Sequence, residues 1–345
     1  GSISTVKGTE IANKPIQSFE QALGGRAAGV QITIPSGVLN APPVIRIRGT
    51  NSISLSSYPL IVIDGVPAYT GDFSSTVGAA GNALASINPN DIESIDIAKD
   101  AAATAIYGSR AANGVVFVTT KKGRSGKARV TLDSWVGVSE VQNLPELLDA
   151  FEYTDYKNEA LRNAGTYNAN TNSFYLTNDA NGQPINTRWY DYVYRKGTQH
   201  SNTLSVSGGS EATTYYFSGG FTNQKGIIKR NDFKRISLLA NVDHKAGKII
   251  QLGAKVQYSN ENNLGAVSSG SLGDAFSSAG LGRVAIVTAP NVSPYKNDGS
   301  YNYSGALIGV MGNKVGQVGF NNPVIQLDQN RLNAEIHHFI SNAYV

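Results

Sequence analysis

Residues 94–123, SIDIAKDAAATAIYGSRAANGVVFVTTKKG, alternate a strand, a short helix and a second strand, as a water-soluble α/β unit does. In ESIDIAK the apolar side chains fall at every second place, which is strand spacing. Asp100 stands where a helix over AAATAIYG needs a capping oxygen, and Gly108 where that helix needs to end. The run GVVFVTT has little room for solvent on either face, so the strand it encodes must be covered twice. The helix is one cover, and something else must supply the other.

Working back toward residue 1, the same grammar continues. In IQSFEQALGGRAAGVQIT, Ser18 precedes Gln21 by three, the spacing of a capping box over a short helix, and Gly24 and Gly25 supply its stop. A strand is predicted from Val30 to Ile34. VIRIRG sets Val44, Ile45 and Ile47 against Arg46 and Arg48, and LIVIDGVP carries Asp64-Gly65, the dipeptide of a tight hairpin turn. Asn88-Pro89 marks a helical start. GTNSISLSSY and YTGDFSSTVGAAGNALAS lack periodicity and read as loops. Residues 1–122 are thus a small mixed α/β unit.

Beyond residue 127 the pattern changes. KARVTLDSWVGVSEV puts Val130, Leu132, Val136 and Val138 on one face and Arg129, Thr131, Asp133 and Ser139 on the other, with Trp135 among the polar set. After a helical or irregular insertion and an Asn-rich loop, four more alternating strands follow. Leu204 and Val206 share a face, as do Tyr215, Phe217 and Phe221. Ile236, Leu238, Ala240 and Val242 oppose Arg235, Ser237, Asn241 and Asp243; Ile250, Leu252, Ala254, Val256 and Tyr258 oppose Gln251, Lys255, Gln257 and Ser259. Each run extends over roughly 9 to 11 residues, the length that crosses a bilayer when tilted. Residues 263–332 read as a long Gly/Ser/Asn-rich irregular stretch, after which AEIHHFISNAYV restarts a strand. About six strands of this kind are expected, too few to close a wide barrel. A soluble β-sandwich alternates in the same way, so pattern alone leaves both architectures open.

Composition narrows the choice of chemistry. Among 345 residues, 41% are hydrophobic and only 16% charged, against roughly 25% charged in an average soluble domain. The 29 basic residues exceed the 25 acidic ones too slightly to argue for nucleic acid. Cysteine is absent, which removes disulfides and thiolate metal sites. No apolar run long enough for a transmembrane helix occurs, and no secretory leader opens the sequence, so any leader is expected to lie outside it. GRSGKAR lacks the spacing of a phosphate loop, and no G-x-S-x-G or H-E-x-x-H is present, so no enzyme activity is expected. His337 and His338 are adjacent on a strand and face opposite sides, which argues against a shared metal. Lys121, Lys122, Arg124, Lys127 and Arg129 form a basic cluster without interleaved aromatics, the character of a solvated linker.

ALGGRAAGVQIT, VIRIRGTNSIS, PLIVIDGVP, INPNDIESIDIAKDAAATAIYGSRAANGVVFVTTKKG, the run from LSVSGG to LLANVDH and DGSYN occur in order over nearly the whole chain. Together they resemble the SusC/RagA family of TonB-dependent outer-membrane transporters of Bacteroidota. The resemblance implies a mixed α/β plug domain, residues 1–122, inside a 22-stranded transmembrane antiparallel β-barrel, of which residues 123–345 would be the first roughly six strands and their extracellular loops. It implies import of an oligosaccharide or peptide across the outer membrane, with no cofactor and no covalent change. It also implies a SusD-like surface lipoprotein, the TonB–ExbB–ExbD machinery and outer-membrane lipids as partners, and assembly as a dimer of SusC–SusD pairs. Siderophore or cobalamin receptors of the same architecture, and a soluble adhesin or carbohydrate-binding module, are the alternatives. The family's TonB box, leader and small extension domain are not seen in the sequence, and Val345 ends it before the remaining strands, so a longer protein is expected.

Two sets of residues are candidates for function. Asn51, Ser52, Tyr58, Tyr69, Asp72 and Phe73 offer amide, hydroxyl and aromatic groups suited to a sugar or peptide on outward plug loops. Arg46, Arg48, Asp64, Glu93 and Asp96 are candidates for a latch of ion pairs, with the arginines meeting carboxylates of the wall.

Overall fold

A computed structural model describes residues 3–12, 16, 18–34, 38–49, 58–68, 82–99, 105–265, 281–303, 322–329 and 332–345. The N-terminal unit is built on a five-stranded sheet of β1 (Ile3–Lys7), β4 (Leu60–Ile63), β5 (Val66–Ala68), β6 (Ile92–Ala98) and β7 (Val115–Thr120). Their order is β1-β6-β7-β4-β5, with β4 and β7 parallel and the other pairs antiparallel. Asp64 and Gly65 take φ of 46° and 88° between the paired residues Ile63 and Val66, the two-residue turn that the dipeptide predicts. β2 (Val30–Thr33) and β3 (Val44–Ile47) form a separate hairpin.

The doubly covered strand is β7. Val116 and Val118 pack with Phe19, Leu23, Ile61, Leu84 and Ile97, while Val115 and Phe117 pack on the other side with Leu60, Val62, Tyr107 and Ala111. Both covers therefore come from within the N-terminal unit, and this strand does not need the wall to exclude water. Two local readings are corrected. Ser18 gives no side-chain cap, and α1 (Phe19–Ala22) is a single turn, too short for a capping box to matter. Residues 105–111 are two 3₁₀ turns joined where Gly108 takes φ 61° and ψ −149°, so the glycine interrupts the segment rather than ending a helix. Asp100 and residues 101–104 lie outside the described residues.

The second sheet contains β8 (Gly126–Ser139), β9 (Gly197–Gly209), β10 (Thr213–Lys225), β11 (Asp232–Ala246), β12 (Ile250–Gly265) and β13 (Leu332–Tyr344) in chain order, every pair antiparallel. The alternation is kept. Leu238 and Val256 are 52% and 41% exposed on one face, while Ser237, Asn241, Gln257 and Ser259 are buried on the other. The strands have 13 to 16 residues, longer than expected, and in β9, β10 and β11 polar residues at the ends continue the ladder past the apolar stretch.

Connections 210–212 and 247–249 are short turns at the end where the N-terminal unit joins, and the longer segments 140–196 and 266–331 link β8 to β9 and β12 to β13 at the opposite end. These loops are not irregular throughout. They carry α2 (Ala150–Asn163), α3 (Trp189–Val193), α4 (Leu281–Val287) and α5 (Pro323–Gln329). Asp149 and Glu152 form a reciprocal capping box at the start of α2. Trp189, Val193, Leu281, Ala285, Val324 and Leu327 pack into a loop core that also takes Val38 and Ala41 of the N-terminal unit.

Candidate functional site

The polar face of the six-stranded sheet meets the N-terminal unit along a seam, and residues 82–91 are the strap that makes most of it. Two 3₁₀ turns, Ala83–Ser86 and Pro89–Asp91, hold the strap in shape. Asn82 and Asn88 cap them, accepting from Leu84 N at 3.0 Å and Asn90 N at 3.1 Å. With the caps' oxygens so used, the amide nitrogens of Asn88 and Asn90 both reach Thr203 Oγ1 of β9 at 3.1 Å. Gly220 of β10 permits this approach, since a Cβ there would stand 2.5 Å from Asn88 Nδ2.

Wall side chains anchor the strap at its middle and at its C-terminal end. Arg235 of β11 is 3% exposed, and its Nη1 donates to Ala85 O at 2.6 Å and Ile87 O at 3.3 Å. Tyr216 of β10 donates its hydroxyl to Asp91 Oδ1 at 2.9 Å. Burial pushes the Asp91 carboxyl above the usual carboxylate range, against the opposing pull of its hydrogen bonds and of Lys121 and Arg235.

Three further contacts tie the unit to the wall. Toward the loop end, Leu39 N donates to Asn231 Oδ1 at 2.8 Å and Asn40 Nδ2 reaches Glu261 Oε2 at 3.5 Å. Lower on β12, Lys255 forms an ion pair with Asp64, whose carboxylate also accepts from Thr120 N at 2.9 Å and Thr120 Oγ1 at 2.8 Å. The Asp64 turn thus serves the hairpin and the seam together.

The residues singled out from sequence separate. Of the latch set, Asp64 reaches the wall, where it meets a cation, Lys255 of β12. Arg46 is half-buried on β3 opposite Gln31, and Arg48 is exposed with φ 60° at the end of that hairpin. Glu93 pairs with Arg124 of the exposed linker at 2.5 Å, and Asp96 accepts from Thr5 and Ser94 inside the five-stranded sheet. Of the ligand set, Tyr58 is half-buried, its hydroxyl donates to Pro43 O, and burial raises its pKa. Asn51, Ser52, Tyr69, Asp72 and Phe73 lie outside the described residues. His337 contacts Tyr258 Oη at 3.0 Å and faces away from His338.

Sequence reasoning did not find the strap's partners. Glycines inside β10 were the available signal for Gly220, and buried-face placement was the signal for Arg235. At the loop end, a cavity of about 650 Å³ is lined by Leu147, Leu148, Tyr153, Trp189, Ile286 and Val287, with Asp149 and Arg188 among its polar groups.

Comparison with known proteins agrees with this arrangement. Residues 1–115 match the TonB-dependent Receptor Plug Domain. The chain is 35% identical to the TonB-dependent receptor P26 of Formosa agariphila, over 100% of this chain and 31% of that protein. It is 31% identical to the TonB-dependent receptor SusC of Bacteroides thetaiotaomicron, over 94% of this chain and 29% of that one. The chain therefore spans about a third of the length of the curated relatives it matches. A solved structure of the RagAB peptide transporter superposes with a TM-score of 0.74 at 26% identity, covering 99% of this chain and 39% of that one. Plug, strap and alternating wall together place the chain in the SusC/RagA family of TonB-dependent transporters, to which it belongs.

Proposed function

We propose that this chain is the plug, residues 1–122, and the first wall strands, residues 123–345, of an outer-membrane importer driven through TonB, ExbB and ExbD. The observation that carries the reading is the two-faced sheet: its apolar side is exposed while its polar side is occupied by the N-terminal unit. Such a sheet suits a wall with hydrocarbon outside and a plugged lumen inside. The short turns at the linker end and the long folded loops at the other suit periplasmic and extracellular ends respectively. A 22-stranded closed barrel completes the wall in this reading.

The cargo is an oligosaccharide or a peptide, captured under a SusD-like lipoprotein and contacted by the plug loops bearing Asn51, Ser52, Tyr69, Asp72 and Phe73, with pairs of subunits assembled as dimers. The name of one structural neighbour, the RagAB peptide transporter, supports the peptide part of this cargo class. The test is uptake of labelled glycan and peptide pools by cells with and without TonB, alongside detergent extraction of the tagged receptor and identification of what co-purifies. Energised uptake of either pool with a lipoprotein companion is expected. A receptor that leaves the cell envelope in plain buffer would refute the reading.

A further inference from the structure

Three acids and one arginine are sealed in the seam: Glu20, Asp91 and Glu261 are 0%, 4% and 1% exposed, and Arg235 is 3% exposed. Their electrostatic matching is uneven. Arg235 stands opposite Glu261 on the neighbouring strand and also feels the charge of Asp91. Asp91 has the Tyr216 hydroxyl and the nearby charge of Lys121. Glu20, on α1 of the plug, accepts from Asn82 Nδ2 at 2.9 Å, and among the described residues no lysine or arginine makes an ion pair with it.

The two glutamates belong to one connected patch. Asn82 holds Glu20, Asn40 holds Glu261, and the backbone N of Asn82 donates to Asn40 O at 3.2 Å. The other titratable groups facing them are Tyr58, which feels the charge of Glu20 from beside β4, and Arg235 of β11. Glu20 and Glu261 also feel each other directly across the seam. A buried carboxylate without a cation takes up a proton more readily than it stays charged. Accordingly, burial lifts Glu20 to about 7, with the hydrogen bond from Asn82 offsetting only part of that effect.

We propose that Glu20 of the plug and Glu261 of the wall form a proton-operated catch: the seam is closed while Glu20 keeps its proton and is loosened when both carboxylates are ionised. The sign follows from linkage. The closed seam binds more protons than an open one between the ordinary value of 4.5 and about 7, so the closed state loses advantage as pH rises through that window. Above it the loss is complete and constant. For an open-state Glu20 at its ordinary value, opening should be about thirtyfold more frequent at pH 8.5 than at pH 5.5.

Hydrogen exchange followed by mass spectrometry on the intact receptor in detergent tests this, with rates corrected for intrinsic base catalysis. In the unmodified protein, amides of residues 18–23 and 38–41 should show that rise. Glu20→Gln should abolish it and keep the low rate at both pH values, because the amide retains a hydrogen-bonding oxygen for Asn82. If that variant does not fold, Glu261→Gln, which removes the facing charge, should lower the rate at pH 8.5. A corrected rate independent of pH in the unmodified receptor would overturn the catch, as would an unchanged pH response in the variant that folds. The readout involves no cargo, so its failure leaves the import reading in place, and failure of import leaves the catch in place.

Discussion

Replacing Lys255 by methionine removes the cation from Asp64 while keeping most of the side-chain volume. Both side chains are largely buried, at 10% and 13% exposure, so water cannot fully replace the lost partner. Removing one member of a buried pair costs about 3–5 kcal/mol when the remaining charge is left alone. Asp64 is not left alone, since it keeps two hydrogen bonds from Thr120. An expected cost of about 2–3 kcal/mol follows. Read as the opening of the plug against the wall, this corresponds to about 30- to 150-fold faster exchange of the amides flanking the Asp64 turn, residues 60–68 and 116–120. Adding Asp64→Asn should recover part of the loss, because the uncompensated charge disappears with it. The assay is hydrogen exchange on the intact receptor in detergent for both single variants and the double variant. If Lys255→Met changes exchange by less than about twofold, or if the double variant is no better than the sum of the singles, the pair does not hold the plug as argued.

Leu238→Arg places a charge on the exposed apolar face and should cost about 2–4 kcal/mol of wall stability if that face meets the bilayer midplane; urea unfolding in lipid vesicles measures it, and a neutral result would remove lipid from that side. Gly123→Ala puts a Cβ 2.2 Å from the backbone N of Tyr215, where no side chain can give way. It should lower stability by about 1–3 kcal/mol through displacement of the linker from the start of β10, seen as a lower urea midpoint than for Gly126→Ala, whose Cβ meets nothing within 4 Å but whose backbone is itself strained.

The two-sided alternation of the wall was legible because one face of each strand has a single chemical environment, so a period of two survives over entire strands such as β11 and β12. Asp64-Gly65 was legible for a local reason, as its turn is decided by the backbone preferences of two residues. Helices α4 and α5 were not. Each has seven residues, and LGRVAIV and PVIQLDQ are held by packing against Trp189 and Val193, which lie about a hundred residues or more away in sequence. The seam was legible in kind but not in pairing. Polar residues on the wall's inner face announced that something wet would lie there, yet which of them meets Asp64, Asp91 or Glu20 depends on how the strap crosses β9, β10 and β11. Alternation does not encode that crossing. The Asp64–Lys255 contact is an instance: Lys255 on β12 reads as any lumen-facing cation until the turn is set against it.

The wall's strands pair strictly with their neighbours in the chain. From β9 to β12 each new strand finds its template across a turn of a few residues, whereas the β8–β9 and β12–β13 pairings must wait for residues 140–196 and 266–331. The five-stranded sheet contains a step of the same range, because β4 lies between β5 and β7 and its parallel partner comes some fifty residues later. Assembly of the wall should therefore start from the β9–β12 meander, with β8 and β13 joining its two margins later, on the same footing as the β4–β7 pairing of the smaller unit.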